Sequence, residues 1–163
     1  MRAKEYYKKV VGKLALGALP IAVEDVNRDP SLLPGKRLVY EVADVGNSNL
    51  EALAALSIRR MTAMRDAGHL AFIGPDDNCA NEALVAAAWN LPMITYKCAD
   101  NRVSDKTKYY TFARTLPPST KIVKALISLM KKYEWQQFVL LTENTKNYLQ
   151  IKEAVKGVPK LSI

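Results

Sequence analysis

Apolar residues along the chain alternate between a spacing of three to four and a spacing of two or less, the signature of helices exchanging with strands. In residues 13–27, Ala15, Ala18, Leu19, Ala22, Val23 and Val26 share one helical face. Pro20 lies inside this pattern and removes a backbone donor, which predicts a kink or a late start. Asn27-Arg28-Asp29-Pro30 stops the helix, and Pro34-Gly35 turns the chain. Arg37 to Ala43 reads as a strand. Asp44 to Ser48 reads as a loop whose Asn47 or Ser48 caps the next helix. There Leu50, Leu53, Ala54, Ile58, Met61 and Met64 form a stripe that ends at Gly68. A short apolar strand is predicted from His69 to Ile73. An Ala-rich helix runs from Cys79 or Asn81 to Trp89, apolar on several sides and so buried. Pro92 to Tyr96 is a further strand, and Ala99 to Tyr109 is a polar surface loop. Tyr110 to Thr115 is a strand, Ser119 to Tyr133 a helix, and Gln137 to Thr142 a strand with a buried-type core. Asn144 to Lys156 fits a helix, and Lys160 to Ile163 fits the start of a strand. Trp89 and Trp135 sit at element ends and read as core packing.

This alternation predicts an α/β fold, a parallel sheet with helices on both faces joined by right-handed crossovers. A chain of 163 residues suits one domain with one core. Its formal charge of +8 is concentrated in Arg2 to Lys13, Lys97 to Lys132 and Lys146 to Lys160. In the helix from Ser119, Lys121, Lys124, Lys131 and Lys132 flank the apolar stripe, as on a solvated face. No helix-turn-helix, zinc or RNA-binding signature accompanies the charge, so no nucleic-acid partner is read. No apolar run approaches the roughly 20 residues that span a bilayer, and the basic start lacks the apolar core of a signal peptide.

Catalytic chemistry finds little support. His69 is the sole histidine, at a strand start after Gly68, and no nucleophile is placed near it. Two cysteines and one distant histidine do not make a metal ligand set. A Gly-rich phosphate loop is absent, so no cofactor is called for.

Three stretches carry a resemblance. Phe72 to Cys98 reads FIGPDDNCANEALVAAAWNLPMITYKC, Gly17 to Leu38 contains EDVNRDPSLLPG, and Tyr110 to Trp135 contains F-x-R-T-x-P followed by a helix and Trp. In order and spacing they resemble the extracellular ligand-binding domain of receptor guanylate cyclases, the natriuretic-peptide-receptor-like family, and most of all its invertebrate orphan members. The resemblance implies the type I periplasmic-binding-protein fold over about residues 14–143. Such domains have two lobes and place a strand before the helix at Gly17. Residues 3–13 read instead as charged and helix-like. The expectation is therefore an incomplete single lobe lacking the first strand, marginal in isolation. Residues 1–13 form a basic N-terminal segment and 14–163 a partial receptor ligand-binding region. The second lobe, membrane span and cyclase domain of the resembled receptors are read as absent. The chain itself would not be an enzyme.

Ligands of open α/β sheets sit beyond the carboxyl ends of the strands. That edge carries Asp44, Asn47, Gly74, Pro75, Asp76, Tyr96, Lys97 and Glu143, the candidate ligand-binding residues. Loop formation and helix capping are the competing reading. Related receptors bind chloride at a Gly-Pro-Gly-Cys loop, whereas here Asp76 and Asp77 lie between Gly74-Pro75 and Cys79. Cys79 and Cys98 each follow a strand end, at one sheet edge, where a bridge is feasible in an extracellular setting. Reduced thiols are the alternative. The resemblance further implies an unidentified peptide or small-molecule ligand, and homodimer contacts through the first two helices (Ala15, Leu16, Leu19, Leu53, Leu56). It places the intact parent at the extracellular face of the plasma membrane, the only route to a membrane here. Other readings are a lobe of a soluble or amino-acid-receptor-type binding protein, a non-functional remnant, or a flavodoxin-like enzyme. No Asn-x-Ser/Thr sequon occurs.

Overall fold

A computed structural model describes residues 17–45, 50–75, 79–141, 151–152 and 154–156. The chain divides into two units at Ala43 and Asp44. The first contains helix α1 (17–28) and the turn that follows it. The second contains α2 (Leu50–Asp66), β1 (Phe72–Ile73), α3 (Ala80–Ala88), β2 (Met93–Thr95), a short 3-10 helix (Arg102–Ser104), β3 (Phe112–Arg114) and α4 (Ser119–Lys132). Residues 151–152 and 154–156 are helical, within the predicted final helix.

The strands form one three-stranded sheet in the order β1-β2-β3, parallel at both pairings. Phe72, Met93 and Phe112 stand opposite one another in register and are all buried. Because side chains alternate along a strand, Ile73, Ile94 and Ala113 fall on the other face, and all are exposed. The buried face belongs to a core made with Met61 of α2, Ala80, Ala83 and Ala86 of α3, Val103, and both cysteines. Alanines at α3's contact positions let the helix approach the sheet closely. Arg65 lies over the Trp89 ring at 4.4 Å and closes one end of this core.

Three helices end in the same way. Gly68 (φ +94), Asn90 (φ +56) and Glu134 (φ +56) each take the left-handed conformation just beyond a helix. In each case that residue's amide and the next one's reach back to helix carbonyls. The pairs are Gly68 to Arg65 and His69 to Met64, Asn90 to Ala87 and Leu91 to Ala86, and Glu134 to Lys131 and Trp135 to Met130. This cap satisfies carbonyls that the helix leaves open.

Two predicted strands are not in the sheet. Residues 37–43 take part in no ladder, and Leu38, Val39, Tyr40 and Val42 are exposed. Part of the reason is local. The Asn27 side chain accepts from the Leu38 amide at 2.7 Å and donates to its carbonyl at 2.9 Å. It thereby takes both groups a neighbouring strand would use. Residues 137–141 are likewise outside any ladder, and Phe138, Val139, Leu140 and Leu141 are exposed. No described strand lies beside them. Trp135 is half-exposed and stacks on Tyr133, so the core role read for it is replaced by a surface aromatic pair. Residues 1–16, 142–150 and 157–163 lie outside the described residues, including the basic N-terminal segment and the predicted start of a last strand.

Candidate functional site

The parallel sheet brings the ends of β1 and β2 together. The Gly74 amide donates to the Ile94 carbonyl at 2.8 Å. The Thr95 hydroxyl donates to the Pro75 carbonyl at 3.0 Å. Gly74 has φ +111, a backbone conformation that an L side chain resists, and the Gly74–Pro75 peptide is cis. Thus Gly74 and Pro75 from one strand end sit beside Tyr96 and Lys97 from the next, as the strand order predicts. Tyr96 is exposed, and Lys97, Gly74 and Pro75 are half-buried. The structure therefore unites this quartet. Asp44 is exposed and precedes residues 46–49, which are not described. Asn47, Asp76 and Glu143 lie outside the described residues.

Cys79 and Cys98 are joined in a disulfide with Cα atoms 6.1 Å apart, within the ordinary range for a bridge. Both are buried. The bridge ties the residue that caps α3 to the segment leaving β2. Glu82, the sole charged residue of α3, is also fully buried, in the first turn of the helix. A carboxylate there faces the positive end of the helix dipole.

Residues 98–104 form a braced loop beside this edge. Asp100 is buried and its carboxylate receives Nε and Nη2 of Arg102, the shortest contact being 2.6 Å. That pairing raises the Arg102 pKa, chiefly through the hydrogen bond to Asp100. Arg114, at the end of β3, donates through Nη1 to the carbonyls of Asp100 (2.6 Å) and Cys98 (3.3 Å), and through Nη2 to the Ser104 hydroxyl. Burial lowers the Arg114 pKa, and the charge of Asp100 works in the opposite direction. On the far side, the Ser119 amide donates to the Ala99 carbonyl at 3.0 Å. The Thr120 hydroxyl donates to the Asn101 side-chain oxygen at 3.0 Å.

Sequence reasoning missed this brace. It read Arg114 only as one letter of F-x-R-T-x-P and read residues 99–109 as a polar loop. The available signals were an arginine closing an otherwise apolar strand and an Asp-x-Arg pair beginning two residues after a cysteine. His69 has its ring Nδ1 2.9 Å from the Met64 carbonyl and its amide bonded to the same carbonyl, while β1 begins only at Phe72, so the strand start read at His69 is replaced by a place in the cap of α2. Two surface hollows lie elsewhere. One is lined by Glu24, Asn27, Arg28, Lys36 and Arg37. The other, about 560 Å³, is lined by Asn101, Arg102, Ser104, Asp105, Lys108 and Tyr109. Neither contains a predicted ligand residue. Among the described residues no group of His, Cys, Asp or Glu could hold a metal ion, and no helix is long and apolar enough to cross a membrane.

Comparison with known proteins gives this geometry a setting. The chain matches the receptor family ligand binding region over residues 14–160. It is 47% identical over 132 residues to guanylate cyclase 32E of Drosophila melanogaster, covering 81% of this chain and 11% of that protein. It is 37% identical over 149 residues to the speract receptor of Strongylocentrotus purpuratus, covering 90% of this chain and 12% of that protein. Human (Homo sapiens) taste receptor type 1 member 2 is 30% identical over 153 residues, covering 86% of this chain and 18% of that protein. The chain thus spans less than a fifth of each of these relatives, and what it matches is a ligand-binding rather than a catalytic region.

Proposed function

Since the chain belongs to the receptor ligand-binding-region family, we propose that it is the extracellular ligand-binding region of a receptor guanylate cyclase. In the intact protein, ligand occupancy outside the membrane would bias a cyclase domain inside the cell and so control cGMP. The observation that carries this reading is the 47% identity to guanylate cyclase 32E across 81% of the chain. The buried Cys79–Cys98 bridge supports an oxidising, extracellular location.

The ligand, a peptide or small molecule, sits at the carboxyl edge of the sheet in this reading. Gly74, Pro75, Tyr96 and Lys97 supply the part that the ends of β1 and β2 bring together, and Asp44, Asn47, Asp76 and Glu143 are the further candidates. Tyr96 offers an exposed ring and Lys97 a cation beside it, a pairing suited to a ligand with both an apolar and an anionic group. Dimerisation through α1 and α2 is part of the same proposal. Leu19 and Leu56 are half-buried within their units, Leu53 lies in α2, and Ala15 and Leu16 are outside the described residues.

The test uses the intact protein with an epitope tag next to this region, expressed in cultured cells. The expected result is labelling of the tag on unpermeabilised cells and guanylate cyclase activity in the membrane fraction. A tag reached only after permeabilisation, or an intact protein without cyclase activity, would overturn the reading. A second reading, an amino-acid-receptor-type binding protein, is favoured by the 30% identity to the taste receptor. It predicts surface labelling without cGMP production.

A further inference from the structure

Residues 98–104 are held from three directions at once. At one end, Cys98 is covalently joined to Cys79, the residue that caps α3. From β3, Arg114 supplies donors to the Cys98 and Asp100 carbonyls and to the Ser104 hydroxyl. From α4, the first turn contributes the Ser119 amide and the Thr120 hydroxyl, to Ala99 and Asn101. Val103 anchors the middle of the loop in the core, and Ser119 is itself buried. Tyr96 and Lys97, two of the candidate ligand residues, run directly into Cys98 with no intervening residue.

Each fixing alone is an ordinary loop contact. Together they leave the loop few ways to move relative to either neighbour. A shift of the chain at Tyr96–Lys97 therefore cannot be absorbed within 98–104 without breaking charge-assisted hydrogen bonds, which are the stronger kind. It must either be refused or be passed to the first turn of α4. Interfaces packed in this way respond as units rather than by continuous deformation.

We infer that Arg114 is a positioning residue, and that the loop it braces is a relay that moves the first turn of α4 together with the ligand edge. The inference rests on the ligand-edge reading above for its input. The mechanical link between the loop and α4 does not depend on that reading. Lysine at position 114 would supply one donor group in place of a planar fork that reaches three acceptors, so the brace is specific to arginine.

Hydrogen exchange of the intact protein tests the link. Arg114→Ala is expected to speed exchange in both 98–104 and 119–122 on the order of tenfold, the scale of losing a charged hydrogen bond. The amides of Ala83 and Met93 should keep their wild-type rates, and Arg114→Lys should restore protection only in part. Faster exchange in 98–104 with 119–122 unchanged would reduce the brace to a local one and overturn the relay. Should Arg114→Ala loosen the whole unit, Thr120→Val decides, because it removes only the exposed link to Asn101. Faster exchange at 98–104 as well as at 119–122 supports the relay, and a change confined to 119–122, or none, overturns it. Failure of the ligand-edge reading has a separate signature. Substitution of Tyr96 or Lys97 would then leave receptor output unchanged while the exchange coupling persists.

Discussion

β2 (Met93–Thr95) and the segment 138–141 are both short apolar runs that leave a helix and a turn behind them, yet one is sealed and the other is open. Met93 is 0% exposed, whereas Val139 is 85% and Leu141 90% exposed. The difference lies in what stands beside each run. β2 has a parallel partner on both sides and α3 with its alanines across one face. Residues 137–141 follow the capped end of α4 and have no described strand as neighbour. Apolar sequence states what a segment is able to bury, and only a neighbour turns that capacity into stability.

The contrast is sharpest in the effect of truncation. Met93→Ala should destabilise the second unit by about 2–5 kcal/mol, because it opens a cavity between Phe72 and Phe112. Leu141→Ala should stay within about 0.5 kcal/mol, as for other exposed sites. Paired denaturant titrations compare the two, and similar midpoints for the variants would break the comparison. Replacing both Cys79 and Cys98 by Ala comes next. It frees a loop with a sequence separation of 19 and should cost about 3 kcal/mol. A variant as stable as the parent under non-reducing conditions would show that the bridge constrains little.

A smaller effect concerns the helix ends. Gly68, Asn90 and Glu134 occupy the same left-handed position, but only Glu134 is a residue type with no particular tolerance for it. Glu134→Gly should raise stability by about 0.5–1 kcal/mol, while Gly68→Ala should lower it. Thermal melts check both signs. The smallest effect is a pH effect. The hydroxyl and amide of Thr107 donate to the Asp105 carboxylate and hold its pKa below the usual aspartate value. A carboxylate with a depressed folded pKa contributes stability above its unfolded pKa, and that contribution is lost as pH falls through the folded value. Thr107→Ala should move the Asp105 titration, followed by NMR, upward toward the ordinary range. An unmoved titration would show that the turn does not set it.

The alternation of elements was legible where a helix end carries its own signal. Gly68 ends α2, and Pro118 and Ser119 open α4, each near its expected place. The ligand edge was legible to the extent that strand order alone puts Gly74-Pro75 beside Tyr96-Lys97, and the cysteine pair follows from the same order. What could not be read depends on side chains choosing backbone partners. Asn27 occupying both polar groups of Leu38 leaves no periodic mark, nor does Arg114 reaching back to Cys98 and Asp100. Residues 37–43 and 137–142 were read as strands because their composition fits a pleated, buried surface. Their exposure is a property of neighbours, which periodicity does not encode.

The face that bears Ile73 and Ile94 has a consequence for how a cell handles this protein. Exposed apolar strand surface is what chaperones hold and proteases select during maturation. A partner surface laid over Ile73 and Ile94 would hide that face from both. The same residues that look idle in the sheet therefore report on whether it is covered, and the rate of limited proteolysis becomes a readout of that cover.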